Sequence, residues 1–271
     1  MRKKQRAFLK WAGGKYILSD VIAKMLPKGD TLIEPFVGAG SIFLNSDYRH
    51  YILNDINQDL INLYNLLKTK PDQFIIDAAK FFTEEYNQAD VYYDLRKEFN
   101  ASEDPYYRSL LFLYMNRHGY NGLCRYNKSG GFNVPFGKYK KPYFPEQEIN
   151  AFSEKAQQAE FTCLGYREVI EKVEPGQVVY CDPPYVPLSK TASFTSYAGN
   201  GFGLDEQADL ANVAEEVTAN GDVSVLISNH DTIWTRKIYE HSKKIKSLQV
   251  SRTISQKGAN RKKVGELLAL Y

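Results

Sequence analysis

An aspartate followed by two prolines ends a short apolar segment of the chain. Residues 178–188 are VVYCDPPYVPL, and the first four indicate a buried strand that stops at Asp182. Pro183 and Pro184 have no N–H to donate to a sheet ladder, so we expect them beyond the sheet edge. The Asp182 carboxylate and the Pro183 carbonyl then form two acceptors pointing the same way, beside the flat ring of Tyr185. This arrangement suits a planar group that carries an NH2.

Two other segments contain residues suited to a nucleoside-like ligand. The turn FVGAG, residues 36–40, lies between a short apolar run and a helical pattern, and its glycines would let backbone approach a ligand closely. It lacks the full GxGxxG pattern of a dinucleotide site. Asp55 ends the next predicted strand, where a carboxylate could accept both hydroxyls of a ribose. The alternatives are a structural turn and, for Asp55, an acid at a helix N-terminus.

The N-terminal segment FLKWAGGKY, residues 8–16, combines an indole, two glycines and two lysines. Its backbone N–H groups and the Lys15 ammonium could hold a carboxylate, while Trp11 could cover a ligand. The alternative is a flexible arm that Trp11 anchors in the core.

Basic residues concentrate in three acid-free segments, although the net charge is only +3. Residues 1–15 contain six Lys or Arg, residues 105–145 contain seven and residues 241–265 contain eight, together 21 of 35. A solvated face usually mixes both signs, so these segments predict one surface that binds a polyanion such as nucleic acid. Scattered charge that only favours solubility is the alternative.

The composition predicts a cytosolic protein with a large core. Hydrophobic residues make up 43% of the 271 positions, but no apolar run approaches the ~20 residues of a membrane span, and no signal peptide is recognisable. The three cysteines (Cys124, Cys163 and Cys181) are odd in number and contain no CxxC pair, which argues against a disulfide framework. No metal site is expected.

Short apolar runs alternate with helical patterns, which predicts an open α/β sheet with its site at the carboxyl ends of the strands. The predicted strands are residues 31–33, 51–53, 178–181 and 223–228, with a helix over 204–220 and a final strand near the C-terminus.

Residues 57–144 interrupt this alternation and are predicted to form an inserted domain. The pattern is helical to about residue 117, and a segment rich in Gly, Asn and aromatic residues follows, with a hairpin turn at 129–131. Residues 1–56 and 145–271 would form the catalytic domain.

The motifs, in this order, resemble the Dam-type DNA adenine N6-methyltransferases. The resemblance rests on LKWAGGK, FVGAG, YNGLCRYN, NVPFGKYKKPYF and DPPY, and it extends over residues 8–271. It implies a class I S-adenosylmethionine-dependent methyltransferase fold, a Rossmann-like sheet whose insert of helices and a β-hairpin recognises DNA. The motif order is that of the α-type amino-methyltransferases.

The resemblance also implies roles for individual residues. The transfer itself would use Asp182, Pro183, Pro184 and Tyr185. S-adenosylmethionine, which leaves as S-adenosylhomocysteine, would be bound by Trp11, Lys15, Phe36, Gly38, Gly40, Asp55 and Asp182.

Residues of the insert and one from the N-terminal segment would contact DNA. Lys10 and Arg125 would contact guanines, Leu123 and Pro135 the thymine methyl, and Tyr120 and Asn121 the surroundings of a displaced base. Lys138 and Tyr139 complete the set. Lys138 stands where relatives often carry arginine at a phosphate contact. Lysine offers a point charge there, whereas arginine can donate two parallel hydrogen bonds. For Arg125, a phosphate contact is the alternative to base reading.

The function implied is methylation of adenine N6 at GATC sites in double-stranded DNA, with roles in mismatch repair and replication control. We expect a cytoplasmic monomer, associated with the nucleoid through DNA and without an obligatory protein partner. Three alternatives remain at this point: an NAD-dependent oxidoreductase, a methyltransferase for RNA or for a protein glutamine, and a non-catalytic DNA-binding protein.

Overall fold

The computed structural model describes residues 4–185, 202–251 and 263–271. Within them, strands form a seven-stranded sheet in the order β3-β2-β1-β4-β5-β7-β6. The strands are β1 (Thr31–Glu34), β2 (His50–Asn54), β3 (Ala159–Thr162), β4 (Val178–Cys181), β5 (Ser224–His230), β6 (Lys244–Ser251) and β7 (Lys263–Leu270). Strands β1 to β5 are parallel to one another, whereas β7 runs antiparallel to both β5 and β6. This is the class I methyltransferase architecture, as predicted.

The predicted strands are confirmed, with one correction. The strand predicted over 223–228 continues through Asn229 and His230 instead of ending before them. The reason is the antiparallel partner, because Asn229 and His230 pair with Leu267 and Glu266 of β7. The predicted final strand is β7, while β3 and β6 were not predicted.

Helices cover both faces of the sheet and form most of the insert. They are α1 (Ser19–Met25), α2 (Ser41–Asn45), α3 (Gln58–Thr69), α4 (Pro71–Ala79), α5 (Ala89–Ala101), α6 (Pro105–His118), α7 (Glu146–Ala156), α8 (Tyr166–Ile170), α9 (Leu204–Thr218) and α10 (Ile233–Ile238). Three of the described helices begin with side-chain caps: Asn57 accepts two backbone N–H groups at the start of α3, Asp104 accepts one ahead of α6, and Thr232 accepts one ahead of α10. No helix among the described residues is long and apolar enough to cross a membrane.

The sheet is buried on both faces, since successive strand residues enter different core clusters. In β4, Val178 and Tyr180 join the cluster that contains the helices of the insert, whereas Val179 and Cys181 join the cluster under α9. Strands that are buried on both sides consist of nearly continuous apolar residues, and the sequence pattern therefore predicts their positions.

The predicted hairpin is present as a turn with limited pairing. Gly130 has a φ of 80°, and the Asn127 N–H donates to the Gly131 carbonyl at 2.8 Å. Beyond the turn, the two arms meet only in isolated bridges within this segment, Tyr126 with Phe132 and Gly119 with Phe136. Helix α3 packs on α6 of the insert and also on α7 and β3, and the domain boundary at residue 57 stays a prediction.

Candidate active site

The carboxyl ends of the parallel strands bring the acidic strand ends to one edge. Buried Asn54 fixes this edge, because its Nδ2 donates to the Pro35 and Leu164 carbonyls, both at 3.0 Å. Its Oδ1 accepts from the Thr162 hydroxyl and the Leu164 N–H at 2.9 and 2.8 Å. One side chain therefore joins the segments that follow β1, β2 and β3.

The FVGAG turn leaves a backbone surface that Trp11 covers. Gly38 and Gly40 have φ values of 47° and 70°, in the left-handed region that favours glycine. A Cβ atom at Gly38 would lie 2.8 Å from the Trp11 Nε1, so the indole packs directly on the glycine. The Tyr64 hydroxyl donates to the Gly38 carbonyl. Two aromatic side chains therefore contact the turn at Gly38.

Asp55 lies at the end of β2 against this turn. Its Oδ2 accepts from the Gly38 N–H at 3.1 Å and its Oδ1 from the Asn57 N–H at 3.0 Å. Burial raises its pKa to about 6, against these two hydrogen bonds. The cap of α3 is Asn57 rather than Asp55, so the carboxylate joins the glycine turn to the helix start.

Phe36 contributes an aromatic wall near the same strand ends. Its ring stacks on Tyr166, with centroids 5.5 Å apart, and meets Phe202 edge to face at the same distance. The three rings lie on the α9 side of the sheet.

Asp182 and Lys15 form the central ion pair of the site. The Lys15 Nζ lies 2.8 Å from the Asp182 Oδ1 and also donates to the Gly13 carbonyl at 2.7 Å. The pKa of Asp182 is raised to about 6, mainly by burial. The positive charge of Lys15 opposes this increase, and the negative charge of Glu266 adds to it. The carboxyl is therefore mostly ionised at neutral pH.

The residues after Asp182 are fixed by contacts from three elements. The Pro184 carbonyl accepts from Gln207 Nε2 of α9 at 2.5 Å, whereas no donor to the Pro183 carbonyl is found in the described part of the chain. The Tyr185 hydroxyl donates to Glu266 of β7, and its ring lies 4.8 Å from the His230 ring, edge to face.

In the insert, contacts gather most of the predicted DNA-binding residues around Tyr139. The Lys10 ammonium lies 3.8 Å from the centre of the Tyr139 ring, and the Tyr139 hydroxyl accepts from the Asn121 N–H at 3.0 Å. Burial, followed by Arg117, lowers the pKa of Lys10 to about 8. The Tyr120 N–H donates to the carbonyl of Pro135, whose side chain is exposed.

Arg125, on the same arm of the hairpin as Tyr120 and Asn121, is held by Asn133 of the other arm. Its Nε donates to the Asn133 Oδ1 at 2.7 Å and its Nη2 to the Asn133 carbonyl at 3.2 Å. Leu123 is half-buried, while Lys138 is exposed in the left-handed region with a φ of 54°. Contacts thus connect Lys10 and Asn121 to Tyr139 and Tyr120 to Pro135, whereas the contacts of Arg125 are with Asn133.

A family model described as "D12 class N6 adenine-specific DNA methyltransferase" matches residues 11–254. The chain belongs to this family. It is 60% identical over 269 residues to the DNA adenine methylase of Vibrio cholerae, covering 99% of this chain and 97% of that protein. It is 58% identical to the enzymes of Serratia marcescens and Escherichia coli K12, again over 99% of this chain and over 99% and 96% of theirs. The protein is a DNA adenine methyltransferase of the Dam type.

Three polar residues of this candidate site were not among the site residues predicted from the sequence: Glu34, Gln207 and Glu266. Glu34 offered a signal, since it ends β1 as Asp182 ends β4. Burial, and then Asp182, raise its pKa to about 8, and its Oε1 has no hydrogen-bond partner among the described residues. Glu266 is an acid within the otherwise apolar GELLALY, and only the register with β5 shows where it points.

Proposed function

We propose that this methyltransferase transfers a methyl group from S-adenosylmethionine to N6 of adenine in double-stranded DNA, at GATC sites, with the base turned out of the helix. The observation that carries the proposal is the pair of acceptors at the end of β4. The Asp182 carboxylate is held at 2.8 Å from Lys15, and the adjacent Pro183 carbonyl receives no hydrogen bond from the described residues.

The residues around the FVGAG turn fit S-adenosylmethionine. Gly38 offers bare backbone under the Trp11 ring, and the buried carboxylate of Asp55 can accept from ribose hydroxyls. Nearby carboxyl groups favour a positively charged ligand over a diphosphate. The residues that would hold the cofactor are Trp11, Lys15, Phe36, Gly38, Gly40, Asp55 and Asp182. When bound, it supplies an electrophilic methyl group on a sulfonium, and S-adenosylhomocysteine remains.

The chain's own contribution is to hold and activate the amino group. The lone pair of adenine N6 is delocalised into the ring, which makes it a poor nucleophile. Asp182 and the Pro183 carbonyl would each accept one N6 hydrogen, which favours a pyramidal nitrogen whose lone pair faces the methyl donor. Tyr185 would stack on the base, and Pro184, fixed by Gln207, would hold the loop in place. Positioning and electrostatic stabilisation together lower the barrier.

A base stacked in a duplex cannot reach this pocket, so it must be turned out at a cost of a few kcal/mol. Tyr120, 38% exposed, and Asn121 would work around the displaced base, with Leu123 and Pro135 on the thymine methyl. Lys10 and Arg125 would contact guanines, Lys138 would contact a phosphate, and Tyr139 would complete the set of DNA contacts. The basic segments would contact phosphates; residues 252–262 of the third segment lie outside the described residues.

The biological roles proposed are strand discrimination in mismatch repair and control of replication. We propose that the enzyme acts as a monomer on DNA in the nucleoid. These proposals follow from the resemblance to Dam-type enzymes and from the basic segments of the sequence.

The deciding experiment supplies S-adenosylmethionine labelled in its methyl group together with matched duplexes. One duplex contains GATC and the other the same bases rearranged to GTAC, and the label is located after digestion to nucleosides. The proposal predicts N6-methyladenine from the first duplex only. Equal labelling of both duplexes would refute the GATC specificity, and the absence of labelled N6-methyladenine from both would refute the substrate.

A further inference from the structure

Glu266 is a buried acid at the edge of the site to which the mechanism above gives no role. It lies on β7 opposite His230 of β5, and it is 8% exposed. Its Oε1 accepts from the Tyr185 hydroxyl, and the Lys15 Nζ lies 3.5 Å from the same oxygen. One carboxylate oxygen is thus in contact with two residues of the proposed transfer site.

The Lys15 ammonium and the Tyr185 hydroxyl each interact with both Glu266 and Asp182. Lys15 lies between the two carboxylates, 2.8 Å from Asp182 and 3.5 Å from Glu266, and the Tyr185 hydroxyl also interacts with Asp182. A carboxylate has about four lone-pair positions for hydrogen bonds. Each donor that turns to Asp182 occupies one of these positions and leaves fewer for an N6 hydrogen of the target base.

We infer that Glu266 is a positioning residue for methyl transfer. By accepting from Tyr185 it fixes the plane of the ring that stacks on the base, and by sharing Lys15 it leaves acceptor positions of Asp182 open for the amino group. This inference rests on the proposed function, because it assigns Asp182 and Tyr185 the roles given there.

A consequence for the pH dependence separates this role from a purely structural one. Among the described residues, the titratable groups that interact with Asp182 are Lys15, Glu34, Tyr180, Cys181, Tyr185 and Glu266, and His230 lies against the Tyr185 ring. Among them, Glu266 raises the pKa of Asp182 through its negative charge. A neutral residue at position 266 should therefore lower the pKa of Asp182, and the acid limb of the transfer rate should move to lower pH.

The test is single-turnover methyl transfer to a GATC duplex as a function of pH. Glu266→Gln keeps an acceptor for the Tyr185 hydroxyl but loses the charge, whereas Glu266→Ala loses both. Glu160→Gln is the matched control, since Glu160 is an exposed glutamate on β3 of the same sheet. Circular dichroism and the melting temperature show whether each variant is folded.

We expect Glu266→Ala to slow transfer roughly 10- to 100-fold, the range for losing a hydrogen bond to a charged group. Glu266→Gln should slow it less and shift the acid limb to lower pH, while the control matches wild type. Combining Glu266→Ala with Tyr185→Phe should be less than additive, because both remove the same hydrogen bond.

Two outcomes would overturn the inference: an unshifted acid limb in Glu266→Gln, or additive losses in the double variant. If Glu266→Ala does not fold, the position of the acid limb in the pH profile of Glu266→Gln decides the inference. A wild-type enzyme that fails to methylate adenine N6 would instead refute the proposed function, so the two failures are distinguishable.

Discussion

Replacing Gly38 by alanine should weaken cofactor binding without disturbing the rest of the protein. The residue has a φ of 47°, which costs an L-residue roughly 1–2 kcal/mol. The added Cβ would also lie 2.8 Å from the Trp11 Nε1 and 3.1 Å from its Cδ1, so the indole must move away from the turn. Because Trp11 is proposed to cover the cofactor, this displacement acts directly on binding.

The chain offers a control that separates the two effects. Gly221 has a φ of 81°, but a Cβ there would meet no atom within 4 Å. Gly221→Ala therefore carries the backbone strain without the clash, at a turn beyond α9. We expect it to lower the free energy of unfolding by about 1 kcal/mol and to leave cofactor affinity unchanged.

The assay is calorimetric titration with S-adenosylhomocysteine. We expect the Kd of Gly38→Ala to rise roughly 10- to 100-fold, equivalent to about 1.4–2.8 kcal/mol, with DNA affinity unchanged. A Gly38→Ala variant that binds as tightly as wild type would refute the placement of the cofactor over this turn. An equal loss in Gly221→Ala would show that backbone strain, and not the contact with Trp11, is responsible.

Three further predictions concern sequence choice, salt and pH. Arg125→Ala should raise the free-energy barrier of methylation at GATC by about 1–3 kcal/mol and should change the barrier little at a site altered at the base pair that Arg125 reads. An equal loss of rate on all single-pair variants would identify a phosphate contact instead. DNA affinity should fall by roughly three decades between about 50 and 200 mM salt, measured by fluorescence anisotropy, and a nearly flat dependence would mean that the basic segments do not share a surface. Glu34 has its pKa raised from 4.5 to about 8, so its folded form binds more protons than its unfolded form between these values. Its contribution to stability should therefore be lost as pH rises from about 5 to 8, and urea titrations of Glu34→Gln should lack that slope; an identical slope in both proteins would contradict the assignment.

The sequence was informative where the structural cause is local. Apolar runs that end in an acid marked β1, β2 and β4, because strands buried on both faces are continuously hydrophobic. Glycines at positive φ marked the turn after β1. The same local signals predict that Asp55 and Asp182 lie at one edge of the sheet.

The features that escaped prediction depend on contacts between distant segments. Glu266 reaches Tyr185 only because β7 inserts between β5 and β6, in a register that no local pattern fixes. Gln207 reads as an ordinary helix residue, yet it is buried and donates to the Pro184 carbonyl. Strand β6 (KIKSLQVS) lies within a basic segment, and its three apolar residues form neither a continuous run nor a strict alternation with polar ones, so neither strand pattern is present.

The most direct test of the account is the single-turnover rate of methyl transfer by Asp182→Ala on a GATC duplex. The account predicts a loss of roughly 100- to 1,000-fold, comparable to the removal of one preorganised oxyanion-hole donor, because the carboxylate would no longer hold the amino group. Folding, measured by circular dichroism, and duplex affinity should remain close to wild type, since Asp182 is partly exposed just after β4 and Lys15 keeps Glu266 as a second carboxylate at 3.5 Å. A transfer rate close to that of the wild-type enzyme would contradict the central claim.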